Sequence, residues 1–211
     1  MAPESPAALA WSLVIPVKLL AQAKSRLTGL PGERRRELAL AMAADTVAAA
    51  GQAESVAAVL VITDDPDVRA MAAELGAIVL ADTPAAGLNE ALGFGAAYAA
   101  ARWPGRGRAG LAGDLPAMRP ADLAAVLATA SGLGVAFVPD AEGTGTTLYA
   151  AAPGAQFRPQ FGAESRQRHL ASGAAEIAGP PGLRRDVDTL DDLRQAATIG
   201  LGARTQALLA C

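Results

Sequence analysis

The stretch IPVKLLAQAKSRL, residues 15–27, decides how this chain is read. An apolar run, WSLVIPV (11–17), leads into it, as the first strand of an α/β nucleotide-binding fold leads into its first loop. The glycine-rich turn that usually cradles phosphate at that point is missing. Lys18, Lys24 and Arg26 stand there instead, behind a proline at the strand end. Cations directly after a first strand can neutralise a polyphosphate, as backbone amides do in glycine-rich loops. A solvated loop with an ordinary cationic face would carry the same residues. The rest of the chain has to decide between the two.

Outward from that loop, short apolar runs alternate with longer helical patterns. Strands are predicted at 11–17, 55–63 (SVAAVLVIT), 77–81 (AIVLA), 109–113 (AGLAG), 134–140 (GVAFVPD) and 146–151 (TTLYAA). Helices are predicted between the first five, at 33–50, 66–75, 88–102 and 120–130. This is the pattern of βαβ units around a parallel sheet, whose strands are covered on both faces and need not alternate with polar residues. The expected fold class is α/β and Rossmann-like, a mostly parallel central sheet flanked by helices. Past about residue 140 the alternation breaks down. A Gly/Thr stretch, a short helix ESRQRHLAS (164–172), a GPPG turn (179–182) and a final strand-to-helix unit RRDVDTLDDLRQAA (184–197) follow. These read as the second half of one domain spanning 1–211.

Hydrophobic residues make up 52% of the 211 and charged ones 18%, the balance of a globular chain with length enough for a sizeable core. Aromatics are only 4%, so alanine, valine and leucine must build that core. A net charge of −3 excludes a general nucleic-acid or acidic-membrane binder, and any anion site must come from a local cluster. The one cysteine is Cys211 and the one histidine is His169, so zinc sites of the His/Cys type lack ligands. Absent cysteine pairs and the lack of a signal peptide or membrane span point to a soluble cytoplasmic protein, monomer or homodimer.

Ligands of open α/β sheets bind at the carboxyl ends of the strands, and two further strand ends carry unusual residues. In LAGDLPAM (111–118), Asp114 ends an apolar run and can hold a hard cation such as Mg²⁺, or else cap a turn. In DVDTLDDL (186–193), Asp186 and Asp188 fall on one face of an extended segment, about 7 Å apart, and a cation between them would relieve their repulsion. Thr189 and Asp192 have the spacing of a helix cap, which marks Asp191 and Asp192 as capping residues. EGTGTTL (142–148) offers backbone N–H groups and hydroxyls for an anion, and FGAESRQRH (161–169) puts Gly162 and Ser165 at a helix start. His169 reads as a helix-surface residue.

IPVKLLAQAKSRL, LAGDLP, GTGTTL, FGAES and DVDTLDDL, in this order, resemble the guanylyltransferases of deazaflavin coenzyme F-420 biosynthesis, over about residues 11–198. VKxxxxAKSRL is the most specific part. GDxP and DVDT are shared with nucleotidyltransferases that activate sugar phosphates or molybdopterin. The resemblance implies a nucleotide-diphospho-sugar transferase (GT-A-like) fold that joins GMP from GTP to phosphoenolpyruvate or 2-phospho-L-lactate and releases pyrophosphate. It implies that Lys18, Lys24 and Arg26 grip the GTP phosphates and that Asp114, Asp186 and Asp188 carry Mg²⁺. Thr147, Gly162 and Ser165 would then line the acceptor pocket. The alanine-rich composition resembles the actinobacterial branch, for which phosphoenolpyruvate is the implied acceptor.

A phosphate monoester is largely a dianion at neutral pH, so this transfer needs no general base, which suits a chain with one histidine. Transfer to another phosphorylated acceptor is the nearest alternative, and the missing glycine-rich loop counts against it. A dehydrogenase lacks its G-x-G-x-x-G turn. A non-catalytic nucleotide-binding module would have no use for all three aspartates.

Overall fold

Each of the six apolar runs forms a strand close to its expected bounds. The computed structural model describes residues 10–22, 24, 27, 29–83 and 85–210. Arg26 and Cys211 therefore lie outside the described residues. The strands are β1 (Trp11–Pro16), β2 (Val56–Ile62), β3 (Ile78–Leu80), β4 (Gly107–Leu111), β5 (Val135–Pro139), β6 (Thr146–Ala151) and β7 (Ala175–Glu176). The helices are α1 (Gly32–Gln52), α2 (Pro66–Glu74), α3 (Leu88–Arg102), α4 (Pro120–Ser131), α5 (Ser165–Ala171), α6 (Pro181–Arg184), α7 (Leu190–Ile199) and α8 (Ala203–Ala210).

Among the described residues the strands form one sheet in the order β3-β2-β1-β4-β6-β5-β7. The pairs β1–β2, β1–β4, β2–β3 and β5–β7 are parallel, and β6 runs antiparallel to both its neighbours, β4 and β5. The sheet is mostly parallel, as expected. The centre of the sheet is buried on both faces. In β1, Leu13 and Ile15 join a core with α1, α2 and α4, while Val14 joins a second core with α3 on the other face. Close approach on the α3 side depends on Gly95, where a Cβ would stand 2.5 Å from a Val14 methyl.

The final strand-to-helix unit is corrected. Residues 185–189 pair with no strand, and the segment is an extended loop between α6 and α7. Its one fully buried side chain, Val187, packs with Leu27, Leu38, Met42 and Leu193 in a third core. The two-residue β7 was not anticipated, since AE carries no strand signal. The chain end folds back onto α1: the buried Asp45 carboxylate accepts from Arg204 N (3.1 Å) and Thr205 N (2.8 Å), which caps α8.

Candidate active site

Strands β1, β4 and β5 end, and antiparallel β6 begins, at the same edge of the sheet. A cleft of about 650 Å³ opens there, a size that suits a small-molecule ligand. Lys18, Lys24, Asp114, Asp186, Asp188, Gly162 and Ser165 all line it, together with Asp140 and Thr146, which sequence reasoning did not single out.

The loop after β1 is pinned at both ends. Leu20 is buried and its N–H donates to the Asp65 carboxylate at 2.9 Å, while Leu27 is fully buried in the third core. Asp65 also caps α2 through Asp67 N and Val68 N. Between these anchors Lys24 adopts a left-handed backbone conformation, φ 57°, uncommon for a residue with a side chain. Its ammonium lies between two carboxylates, bonded to Asp114 and, at 3.0 Å, to Asp188. Burial alone would lower the Lys24 pKa, but the charges and hydrogen bonds of Asp114 and Asp188 outweigh it and raise the value above that of a free lysine. Lys18 is exposed.

Asp114 is placed by α1. The next residue, Leu115, donates its N–H to Thr46 Oγ1 at 3.0 Å, and Thr46 in turn donates to the Met42 carbonyl. The Asp114 carbonyl accepts from Val187 N at 3.2 Å, which ties the GDLP and DVDT segments together. With Val187 turned into the core, Asp186 and Asp188 both reach the cleft, so the expected shared face holds although the segment is not a strand. The capping box is present: Thr189 Oγ1 accepts from Asp192 N, and the Asp192 carboxylate accepts from Thr189 N at 2.8 Å. Burial works against ionisation of Asp192, but these hydrogen bonds hold its pKa below the usual carboxylate value. Asp191 does not share the cap; it accepts from Gln195 instead.

Lys24 contacts Asp114 and Asp188, whereas Asp186 is pushed up to about 7 by burial, reinforced by the nearby charges of Asp114, Asp188 and Asp140. Among the described residues no three His, Cys, Asp or Glu side chains are grouped so as to hold a metal ion by themselves. The three aspartates surround one cleft, but Lys24 stands between two of them.

The opposite wall departs from expectation at two residues. Thr147 turns away from the cleft: its hydroxyl is buried and donates to the Leu183 carbonyl at 2.7 Å. Thr146 faces the cleft in its place, because successive residues of a strand point to opposite sides. His169 is not on a helix surface but fully buried. Its Nδ1 lies 2.9 Å from Thr146 Oγ1, its Nε2 accepts from Gln160 N at 2.8 Å, and Ser165 Oγ donates to Thr146 Oγ1 at 3.0 Å. Burial, with a smaller contribution from the Arg168 charge, lowers the His169 pKa to about 4.

Gly162 holds φ 117°, a conformation that favours glycine, and α5 begins at Ser165, one residue beyond the expected start at 164. The amides of Thr144 and Gly145, expected to receive an anion, already donate to Asp140 at 2.9 and 2.7 Å.

Residues 11–179 match the family described as guanylyl transferase CofC like. The chain belongs to that family. Its relatives include a phosphoenolpyruvate guanylyltransferase of Thermomonospora curvata, 54% identical over 97% of this chain and 90% of the relative. One of Streptomyces coelicolor is 52% identical over 95% of this chain and 96% of the relative. Among solved structures, a nucleotide-diphospho-sugar transferase from Desulfovibrio desulfuricans G20 superposes with a TM-score of 0.72 at 18% identity, over 95% of this chain and 94% of that one. The Rv0371c protein of Mycobacterium tuberculosis H37Rv, solved in complex with manganese, gives a TM-score of 0.57 at 20% identity, over 89% and 97%. At such identities the structures speak for the fold. The CofC-like family assignment makes this chain a nucleotidyltransferase.

Proposed function

We propose that this protein transfers GMP from GTP to phosphoenolpyruvate, giving enolpyruvoyl-2-diphospho-5'-guanosine and pyrophosphate in coenzyme F-420 biosynthesis. The observation that carries the reading is one cleft with two chemically different walls. Lys18, Lys24 and the three aspartates form one wall, and Thr146, Gly162 and Ser165 form the other. The names of the relatives supply the acceptor. In the reaction, an acceptor phosphate oxygen attacks the α-phosphorus of GTP. A P–O bond forms there, the bond from the α-phosphorus to the bridging oxygen breaks, and its electron pair leaves with pyrophosphate.

The acceptor phosphate is already largely a dianion near pH 7, with a second pKa of about 6, so the barrier is repulsion between anions rather than proton transfer. Lys18 and Lys24, with Arg26, would hold the triphosphate and the leaving pyrophosphate. The donors of the opposite wall would orient the acceptor. Mg²⁺ fits this inventory, because it is commonly held by one or two carboxylates together with substrate phosphates rather than by a full protein cage. Asp186, kept partly protonated by burial and neighbouring charge, is the carboxyl with most to gain from a cation. Asp114, Asp186 and Asp188 would hold the ion, which when bound supplies positive charge to the phosphates. We place the protein in the cytoplasm as a single-domain enzyme, monomer or homodimer. No helix among the described residues is long and apolar enough to cross a membrane.

The test is to incubate the protein with GTP, Mg²⁺ and either phosphoenolpyruvate or 2-phospho-L-lactate, and to read product masses and pyrophosphate. The guanylylated enolpyruvyl product is expected. Product from 2-phospho-L-lactate alone would replace the acceptor, and none from either would overturn the reading.

A further inference from the structure

We infer that His169 is a positioning residue for acceptor recognition: locked as the Nδ1–H tautomer, it makes the Thr146–Ser165 hydroxyl pair a hydrogen-bond donor to an anionic oxygen in the cleft. That the oxygen belongs to the phosphorylated acceptor rests on the reaction proposed above; the tautomer does not.

The polarity of the network follows from counting protons. A backbone N–H can only donate, so Gln160 N at 2.8 Å requires a bare Nε2. Burial holds the imidazole neutral, so its single proton sits on Nδ1 and is donated to Thr146 Oγ1 at 2.9 Å. Thr146 and Ser165, 3.0 Å apart, then have two hydroxyl protons and one mutual hydrogen bond. Whichever hydroxyl donates to the other, one proton is left over. Both residues line the cleft, so that proton is available to a ligand there. With the opposite tautomer, Thr146 would donate to Nδ1 and Ser165 to Thr146, leaving only lone pairs to meet an anion. The ring cannot readily turn over, because Phe137, Tyr149 and Phe161 stand against it at centroid distances of 5.3, 4.8 and 6.0 Å. Phe161 is itself clamped by Asn89 through two hydrogen bonds.

Two isosteric variants separate this role from simple packing. In His169→Asn the side-chain amide can stand near the Nδ1 position and still donate to Thr146. In His169→Asp a carboxylate oxygen stands near the Nδ1 position and accepts from Thr146, which uses up the proton otherwise left for a ligand. Steady-state kinetics with GTP, Mg²⁺ and phosphoenolpyruvate should show the phosphoenolpyruvate KM raised roughly tenfold to a hundredfold in His169→Asp, the scale of one hydrogen bond to a charged group. The KM for GTP should not change, and His169→Asn should stay within about threefold of wild type. A purely structural role predicts equal KM values, because the two variants have nearly the same shape and lose the Gln160 latch alike. Because His169 is the only histidine, its tautomer can be read directly from long-range ¹H–¹⁵N spectra of the wild-type protein. The Nδ1–H form is expected. The Nε2–H form, or equal acceptor KM values in the two variants, would overturn the inference. Should the wild type make no product from phosphoenolpyruvate, the proposed reaction fails and the tautomer alone decides: Nδ1–H upholds the donor network, Nε2–H overturns it.

Discussion

Lys24 is a partly buried cation with two carboxylates on it and a third carboxyl nearby, held by a backbone conformation that costs energy for most residues but glycine. In the proposed reaction, phosphate oxygens would take the place of the aspartates on the ammonium, and the aspartates would be freed to hold a metal ion. Lys24→Ala should therefore lower kcat/KM for GTP by about tenfold or more, from lost charge-assisted hydrogen bonds. Unchanged kinetics in this variant would return Lys24 to a structural ion pair. At this scale the sequence was only partly legible. The lysines and aspartates could be found because charged residues at apolar strand ends are unusual. Thr146 and Thr147 could not be told apart, since a one-residue difference in strand register exchanges the two faces and both are threonine. His169 sits on a seven-residue helix, too short for a periodic pattern to reveal that its face is buried.

The aspartates are positioned by elements that carry no chemistry themselves. Helix α1 is apolar over most of its buried face, yet it carries the buried pair Asp45 and Thr46. Asp45 caps α8, and Thr46 receives the amide that follows Asp114. Gly202 N donates to the Pro116 carbonyl at 2.7 Å, so the C-terminal segment braces the same loop. Thr46→Val would leave the buried Leu115 N–H without a partner, at a cost of about 1–3 kcal/mol. Chemical denaturation should show that loss, together with reduced kcat from a displaced Asp114. Wild-type stability and rate would mean that the loop is held elsewhere. The polar pair in AADTVAAA was a visible signal, since polar side chains on an apolar helix face need partners, but its partners lie 69 to 160 residues away. Periodicity located the six strands and the main helices. It misread the DVDT segment as a strand because alternation there serves a buried Val187 in a loop, with no neighbouring strand to pair it.

For the whole molecule, the cleft is a place where stability is given up. Asp186 has its folded-state pKa raised from 3.8 to about 7, so the folded protein binds a proton more tightly than the unfolded chain. The stabilisation from that proton is fully present below about pH 4 and is lost as pH rises through about 7. Without divalent cation, the stability of Asp186→Asn relative to wild type should therefore increase between about pH 4 and 7 and level off above, as read by denaturant titration at several pH values. A flat difference across that range would mean that Asp186 ionises freely. An ordinary structural aspartate would behave oppositely, its removal weakening the fold as pH rises. Stability given up at one side chain is expected where a site waits for a charged ligand.

Turnover of that same variant tests the central claim most directly. With GTP, phosphoenolpyruvate and saturating Mg²⁺, Asp186→Asn should lose at least about a hundredfold in kcat while remaining as stable at pH 7 as wild type or more so. Near-wild-type kcat in the folded variant would contradict the account and move the phosphoryl chemistry away from the DVDT carboxylates.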